Sequence, residues 1–281
     1  MIYVFWNKLA NNGKAAEAKT ELEKLFEGKQ LTFLDVIGIK NAADSCREFN
    51  SDDEIVVAGG DGTLSRFVND IYELKLQNKI YFYSCGTGND FVNDVREKCE
   101  IKNNLIPMNE FIKSLPVVTI NGEKHYFING IDGYCCEEGD KLRAVSDKPV
   151  NYAGIAIKGM LGKFKPCGGT VTIDGVSKRY KKIWLAPTMI GRFFGGGMKI
   201  TPEQSRLNEE HLVSNCVFHD SGMLKTLMVF PKIFKGEHVS HKDIIEIKTG
   251  HEVKVEFDKP CALQIDGETY IGVTSYSVSY N

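Results

Sequence analysis

The stretch Ile55-Val56-Val57-Ala58-Gly59-Gly60-Asp61-Gly62-Thr63 is where chemistry is most concentrated in this chain. An apolar run ends in three glycines and one acid. Glycines let a backbone approach an anion closely, and backbone N–H groups at a helix N-terminus attract phosphate. Asp61 is aimed at the mouth of such a loop. By itself, Gly-Gly-x-Gly serves a tight strand-to-helix turn equally well. A second loop of the same kind follows: Cys85-Gly86-Thr87-Gly88-Asn89-Asp90-Phe91. Two glycine-rich loops, each carrying an aspartate, suit the carboxyl edge of a parallel sheet, where open α/β sheets place ligands.

Those loops must be held by strands before them and helices after them. Ile55–Ala58 and Ile80–Ser84 read as the strands. After the first loop, Leu64, Phe67, Val68, Ile71 and Tyr72 recur at helical spacing. Upstream, residues 2–6 read as a first strand, Lys14 to Phe26 as a helix and Leu31 to Ile37 as a second strand. Asn41 caps a short helix to Phe49. This alternation up to about residue 95 predicts an open, mostly parallel sheet with helices on both faces. From about Val117 short strand-like runs take over. They include Val117–Ile120, His125–Asn129, Thr170–Ile173, Lys182–Pro187, Leu212–Phe218, Ile244–Lys248, Glu252–Phe257, Ala262–Ile265 and Tyr270–Tyr276. Asn121-Gly122, Asp174-Gly175 and Asp266-Gly267 are hairpin-turn pairs. Tyr152–Leu161 and Met223–Phe234 read as helices. The expectation is an α/β domain over 1–116 and a β-rich, sandwich-like domain over 117–281.

Gly59–Thr63 followed by Gly86-Thr87-x-Asn89-Asp90-Phe91 resembles the lipid kinases: diacylglycerol, sphingosine and ceramide kinases and their bacterial relatives. Gly-Gly-Asp-Gly-Thr alone is shared with NAD kinases; the second loop separates the two. The resemblance extends to Asn7, Ala10, Gly13 and Lys14 of a first turn, where Lys8 and Asn11 depart from the pattern. It extends also to Tyr126–Gly133, to Gly195–Pro202 and to Asp266-Gly267-Glu268. It implies two domains with the active site in the cleft between them, and a last strand with the option of returning to the first domain. It implies transfer of the γ-phosphoryl group of ATP, with Mg²⁺, to a lipid hydroxyl of the diacylglycerol or sphingoid kind. Asn7, Gly59, Gly60, Gly62, Thr63, Gly86, Thr87, Asn89 and Asp90 would bind nucleotide. Asp61 and Asp90 are candidate Mg²⁺ ligands, and Glu268 and Asp61 are the candidates for the proton-accepting role. Many relatives carry a further Asp-Gly for a structural magnesium after the Pro202 equivalent. Here Ser205–Leu212 has none, and Glu209 is the candidate substitute. Two rivals remain: an NAD kinase-like or other soluble-alcohol kinase on the same fold, and a non-catalytic lipid-binding or regulatory protein on a decayed kinase fold.

Composition bounds the rest. The 281 residues carry 35 basic against 37 acidic side chains, a net charge of −2 that argues against bulk nucleic-acid binding. Between Asn151 and Lys199, however, nine basic residues face one acid, Asp174, so the block holds +8 and the remainder −10. Such a block suits either an anionic membrane surface or a solvated face. No apolar run reaches membrane-spanning length and no signal peptide opens the chain. With eight cysteines and no Cys-x-x-Cys pair, reduced thiols are expected, Cys135-Cys136 included. The expected setting is cytoplasmic, peripheral at the inner membrane face, with a homodimer left open. His238 and His241 lack a third partner for a metal, and Ser221 reads as a helix cap rather than a nucleophile.

Overall fold

The computed structural model describes residues 1–8, 15–86, 89–132 and 165–280. The expected turn at 9–14, Thr87, Gly133, Cys135-Cys136 and the expected helix at 152–161 lie outside the described residues. The chain separates into two compact units, Met1–Ser114 and Leu115–Asn281.

In the first unit β1 (Ile2–Trp6), β2 (Leu31–Asp35), β3 (Glu54–Gly59) and β4 (Lys79–Ser84) pair in parallel, in the order β2-β1-β3-β4. A short strand β5 (Leu105–Pro107) adds antiparallel to β4. Ile55, Val56 and Val57 of β3 are all fully buried, as expected for a parallel strand covered on both faces. On one face Ala18 and Leu22 of α1 (Ala15–Leu25) pack on Ile2, Val4, Val56 and Ala58. On the other, the Phe67 ring of α3 (Asp61–Ile71) lies 4.8 Å from that of Phe5. Asn41 caps α2 (Ala42–Cys46), its side chain accepting from the Ala43 amide at 2.7 Å. Two short helices, α4 (Asp90–Val95) and α5 (Asn109–Ile112), complete the unit.

The second unit is built from β6 (Pro116–Ile120), β7 (Glu123–Tyr126), β8 (Gly130–Asp132), β9 (Cys167–Ile173), β10 (Val176–Leu185), β11 (Thr188–Met189), β12 (Phe193–Phe194), β13 (Met198–Lys199), β14 (Val213–His219), β15 (Ile245–Gly250), β16 (Glu252–Ile265) and β17 (Glu268–Tyr280). The main sheet runs β7-β6-β17-β16-β8-β11-β14-β10-β9, with β15 on β14. Strand β16 also pairs with β9, so the path β16-β8-β11-β14-β10-β9 closes on itself. One long strand serves both sides because its register shifts between Glu256 and Leu263, the kind of irregularity that turns a strand from one layer into another. The last strand, given the option of returning to the first domain, pairs with β6 and β16 inside the second unit. Met223 begins a helix, α6 (Met223–Val229), that gives way to two 3₁₀ turns, Phe230–Lys235 and Glu237–Ser240. The expected single helix to Phe234 is cut because Pro231 has no N–H to continue it. Gly222, not Ser221, is the N-cap; the Ser221 hydroxyl instead shares a hydrogen bond with Thr226 Oγ1. Among the described residues no helix is long and apolar enough to cross a membrane.

Candidate active site

The first unit's strand order reverses between β1 and β3. From β1 the chain goes to β2 on one side and to β3 on the other, leaving a crevice at their carboxyl ends. Asn7 follows β1 and Thr63 lies in the first turn of α3. Asn7 Nδ2 donates to Thr63 Oγ1 at 2.9 Å, spanning that switch point, while the Asn7 amide donates to the Ala58 carbonyl at 3.0 Å.

Glycine is required here by contact. A Cβ on Gly59 would meet the Thr63 side chain at 2.6 Å, so only glycine lets α3 fold back directly from the end of β3. A Cβ on Gly86 would sit 2.5 Å from Gly60 Cα. The two loops therefore touch backbone to backbone. Gly60 caps α3 in an extended conformation with no side chain over the helix end. The first-turn N–H groups of α3 have no carbonyl acceptor within the helix, which suits this end to phosphate oxygens.

Asp61 joins the loops. Its Oδ2 accepts from the Asp90 amide at 3.0 Å and its Oδ1 from the Phe91 amide at 3.2 Å. One carboxylate at the start of α3 thus holds the start of α4, where negative charge meets the positive end of the peptide dipoles. Asn89 takes a left-handed conformation (φ 52°), and its Oδ1 accepts from the Ser84 hydroxyl at 2.5 Å. Asp90 is buried. Thr87, the remaining expected phosphate contact, lies outside the described residues. Burial pushes the neighbouring Cys85 thiol up to about 11, so it stays protonated at neutral pH and offers the loop no thiolate.

In the second unit the Asp266-Gly267 turn has positive φ at both residues, 46° and 105°. Its tip is anchored from far along the chain. Asp266 Oδ2 accepts from the Ile128 amide at 2.5 Å, and Oδ1 from the Asn129 and Gly130 amides at 2.9 and 3.1 Å. Buried Arg206 closes the same cluster, donating to the Ile128 carbonyl and, at 3.0 Å, to Asn129 Oδ1. Glu268 emerges exposed at the first position of β17. Tyr270, two residues on, has its phenol pushed up to about 12 by burial first and then by the charges of Glu268 and Glu123. Sequence reasoning passed over Arg206 and Tyr270. Their one signal was a lone arginine in a polar loop and an aromatic at the period-two position from Glu268.

Glu209 is exposed. The loop around it is tied by Asn208, whose Nδ2 donates to the Ser205 and Leu212 carbonyls at 2.7 and 3.0 Å and whose Oδ1 accepts from the Leu212 amide at 2.5 Å. Carbonyls that would ligate a hard cation are here satisfied by an amide. Among the described residues no group of three or more His, Cys, Asp or Glu could hold a metal ion. The loop carbonyls beside Glu209 are thus already engaged by Asn208. His238 is buried, its Nε2 donating to the Ile200 carbonyl at 2.9 Å, a core role rather than a ligand's. The described part of the basic block is also partly spoken for. Lys178 pairs with Glu246, and Arg179 with Asp258; Lys158 and Lys163 lie outside the described residues.

Two family models match the chain. Residues 1–119 match the diacylglycerol kinase catalytic domain, and residues 126–278 match the YegS C-terminal NAD kinase beta sandwich-like domain. A diacylglycerol kinase of Bacillus subtilis (strain 168) is 28% identical over 232 residues, 79% of this chain and 72% of that protein. One of Mycobacterium tuberculosis (strain ATCC 25618 / H37Rv) is 24% identical over 217 residues, 74% of this chain and 67% of that protein. The crystal structure of a diacylglycerol kinase from Bacillus anthracis str. Sterne shares the fold, with a TM-score of 0.70 at 20% identity over 99% of this chain and 93% of that one.

Proposed function

The chain belongs to the bacterial-type diacylglycerol kinase family, and on that premise we propose that it moves the γ-phosphoryl group of ATP to the hydroxyl of a diacylglycerol-like or sphingoid lipid. The observation that carries the proposal is the Asp61 bridge, which fixes two glycine-rich loops against each other at the switch point of a parallel sheet. Phosphoryl transfer asks the protein chiefly for positioning and for charge stabilisation. The N–H groups of Gly60, Gly62 and Thr63 supply donors for phosphate oxygens. Gly59 and Gly86 keep the backbone close, and Thr87, Asn89 and Asn7 complete the nucleotide contacts. Mg²⁺, when bound, neutralises charge building on the phosphates; Asp61 and Asp90 carry the oxygen chemistry that a hard cation prefers.

The proton of the attacking hydroxyl is assigned to Glu268. Asp61 is already engaged by two amide N–H donors, which tie the two loops together. Glu268 is exposed at a turn that its own neighbour, Asp266, anchors. Such a base contributes about a hundredfold or more to rate. A lipid acceptor of this kind would bring the protein to a lipid–water boundary.

The test is transfer from γ-labelled ATP to a panel of lipid extracts in mixed micelles with Mg²⁺. A labelled lipid is expected, with Glu268→Gln slowed about a hundredfold at unchanged ATP affinity and Asp61→Asn losing both rate and ATP affinity. Label appearing only on a soluble alcohol would move the acceptor out of the lipid class. ATP binding without any transfer would leave a binding protein.

A further inference from the structure

In α6 and the two 3₁₀ turns after it, Thr226, Val229, Phe230, Ile233 and His238 are buried. Val229, Phe230 and Ile233 pack into the second unit's core with Trp184, Phe218 and Ile245. A surface helix with one face so committed ordinarily turns polar residues outward. This one does not. Leu224 is 73% and Met228 69% exposed, and Met223, Phe234 and Val239 are exposed as well. Half of the exposed large apolar side chains among the described residues fall within 223–239. Apolar side chains gathered in this way on a protein surface mark a binding surface.

Charge selects the occupant. Lys225, Lys232, Lys235 and Lys242 stand against Glu237 and Asp243 over 223–243. The Lys199 stem lies beside Gly236. Lys225 is paired with Asp243, and Lys232 Nζ donates to His241 Nε2 at 2.8 Å, while Lys235 and Lys242 are exposed. Exposed lysines interspersed with exposed Leu, Met and Phe along one segment are the composition of a stretch that lies in a lipid interface, with its apolar side chains among the acyl chains and its ammonium groups at anionic headgroups.

We infer that the α6 face, residues 223–242, docks the protein on an anionic bilayer surface. This rests on the lipid-kinase reading for its purpose but is tested without it. Wild type is sedimented, with no nucleotide present, with vesicles of phosphatidylcholine and with vesicles containing about one third phosphatidylglycerol. Stronger binding to the anionic vesicles is expected, with Leu224→Glu/Met228→Glu lowering the partition coefficient about tenfold or more. Lys235→Glu/Lys242→Glu is expected to remove the preference for anionic lipid, and provides a second variant should the first fail to fold. The Leu224/Met228 variant should keep its transfer rate on a short-chain, monomeric lipid. Failure of transfer in every protein would sink the kinase reading and leave the docking result standing. Wild type that ignores both vesicles, or variants that bind as wild type does, would overturn the docking inference. So would a dimer of wild type that dissociates in the Leu224/Met228 variant.

Discussion

Asp266→Asn separates a residue that builds the second unit from the neighbour proposed to do chemistry. In the native turn the two carboxylate oxygens receive three amide protons in a site where Asp266 is buried. An asparagine side chain offers one oxygen. If that oxygen keeps Asn129 and Gly130, its NH₂ faces the Ile128 N–H, donor against donor. A buried donor left without an acceptor costs about 1–3 kcal/mol. The two bonds that survive lose their charge assistance, about 1 kcal/mol each. Against this, removing a buried charge returns some desolvation energy, and asparagine accepts the φ of 46° a little more readily. The net is about 3 kcal/mol. For a unit of this size that lowers the unfolding midpoint by about 6–12 °C. The assay is differential scanning calorimetry of Asp266→Asn beside Glu268→Gln. Glu268 is exposed, so its variant should melt as wild type does while losing transfer. If Asp266→Asn shifts the second unit's transition by less than about 2 °C, the triple amide contact carries little energy and the reasoning fails.

Gly86→Ala should cut ATP affinity about tenfold or more, because the new Cβ would lie 2.5 Å from Gly60 Cα and prise the loops apart; unchanged affinity in a calorimetric titration would show that the loops yield at no cost. The second unit should also lose stability in acid through Glu246. Burial raises its carboxyl, but hydrogen bonds from Lys178, Lys248 and Tyr180 outweigh that and bring it to about 2. A folded value below the unfolded one stabilises above the unfolded pKa of about 4.5 and is lost as pH falls toward 2, at most about 3 kcal/mol here. Melting at pH 7 and pH 3 should therefore show a larger drop for wild type than for Glu246→Gln, and equal drops would count against the pairing.

How much of this could be read from the chain differs by the range of the interaction. All three hairpin pairs, Asn121-Gly122, Asp174-Gly175 and Asp266-Gly267, have positive φ at both residues, because two-residue hairpins demand it and few residue types allow it. The β3-to-α3 turn was legible for another local reason, a close approach that glycine alone permits. Strand Val176–Tyr180 was not. Its Val176-Ser-Lys-Arg stretch is exposed and shows no alternation, its place being set by pairing with β9. The strands expected separately at Glu252–Phe257 and Ala262–Ile265 are one, β16, which runs through Pro260 at a register shift, where no ladder bond is needed from that residue. The least legible part was the cluster of Ile128, Arg206 and Asp266. A polar loop with an arginine reads as surface until the fold brings a buried carbonyl to it. Asp61 was legible as an acid at a loop mouth, but not as the group that ties that loop to the next.

The place of β17 between β6 and β16 has a consequence for how the protein is made. Translation delivers β6 first and its inner neighbour last, some 150 residues later. Until residues 268–280 have left the ribosome, Val117, Val118 and Ile120 lack the strand on which they finally pair. The first unit has no such debt to the future, since its parallel strands are all complete by Ser84. A nascent chain stalled short of Glu268 would therefore present a formed parallel-sheet unit joined to an unpaired apolar edge. That edge is a natural point of capture for chaperones, and it delays the proposed base until the whole second sheet can close.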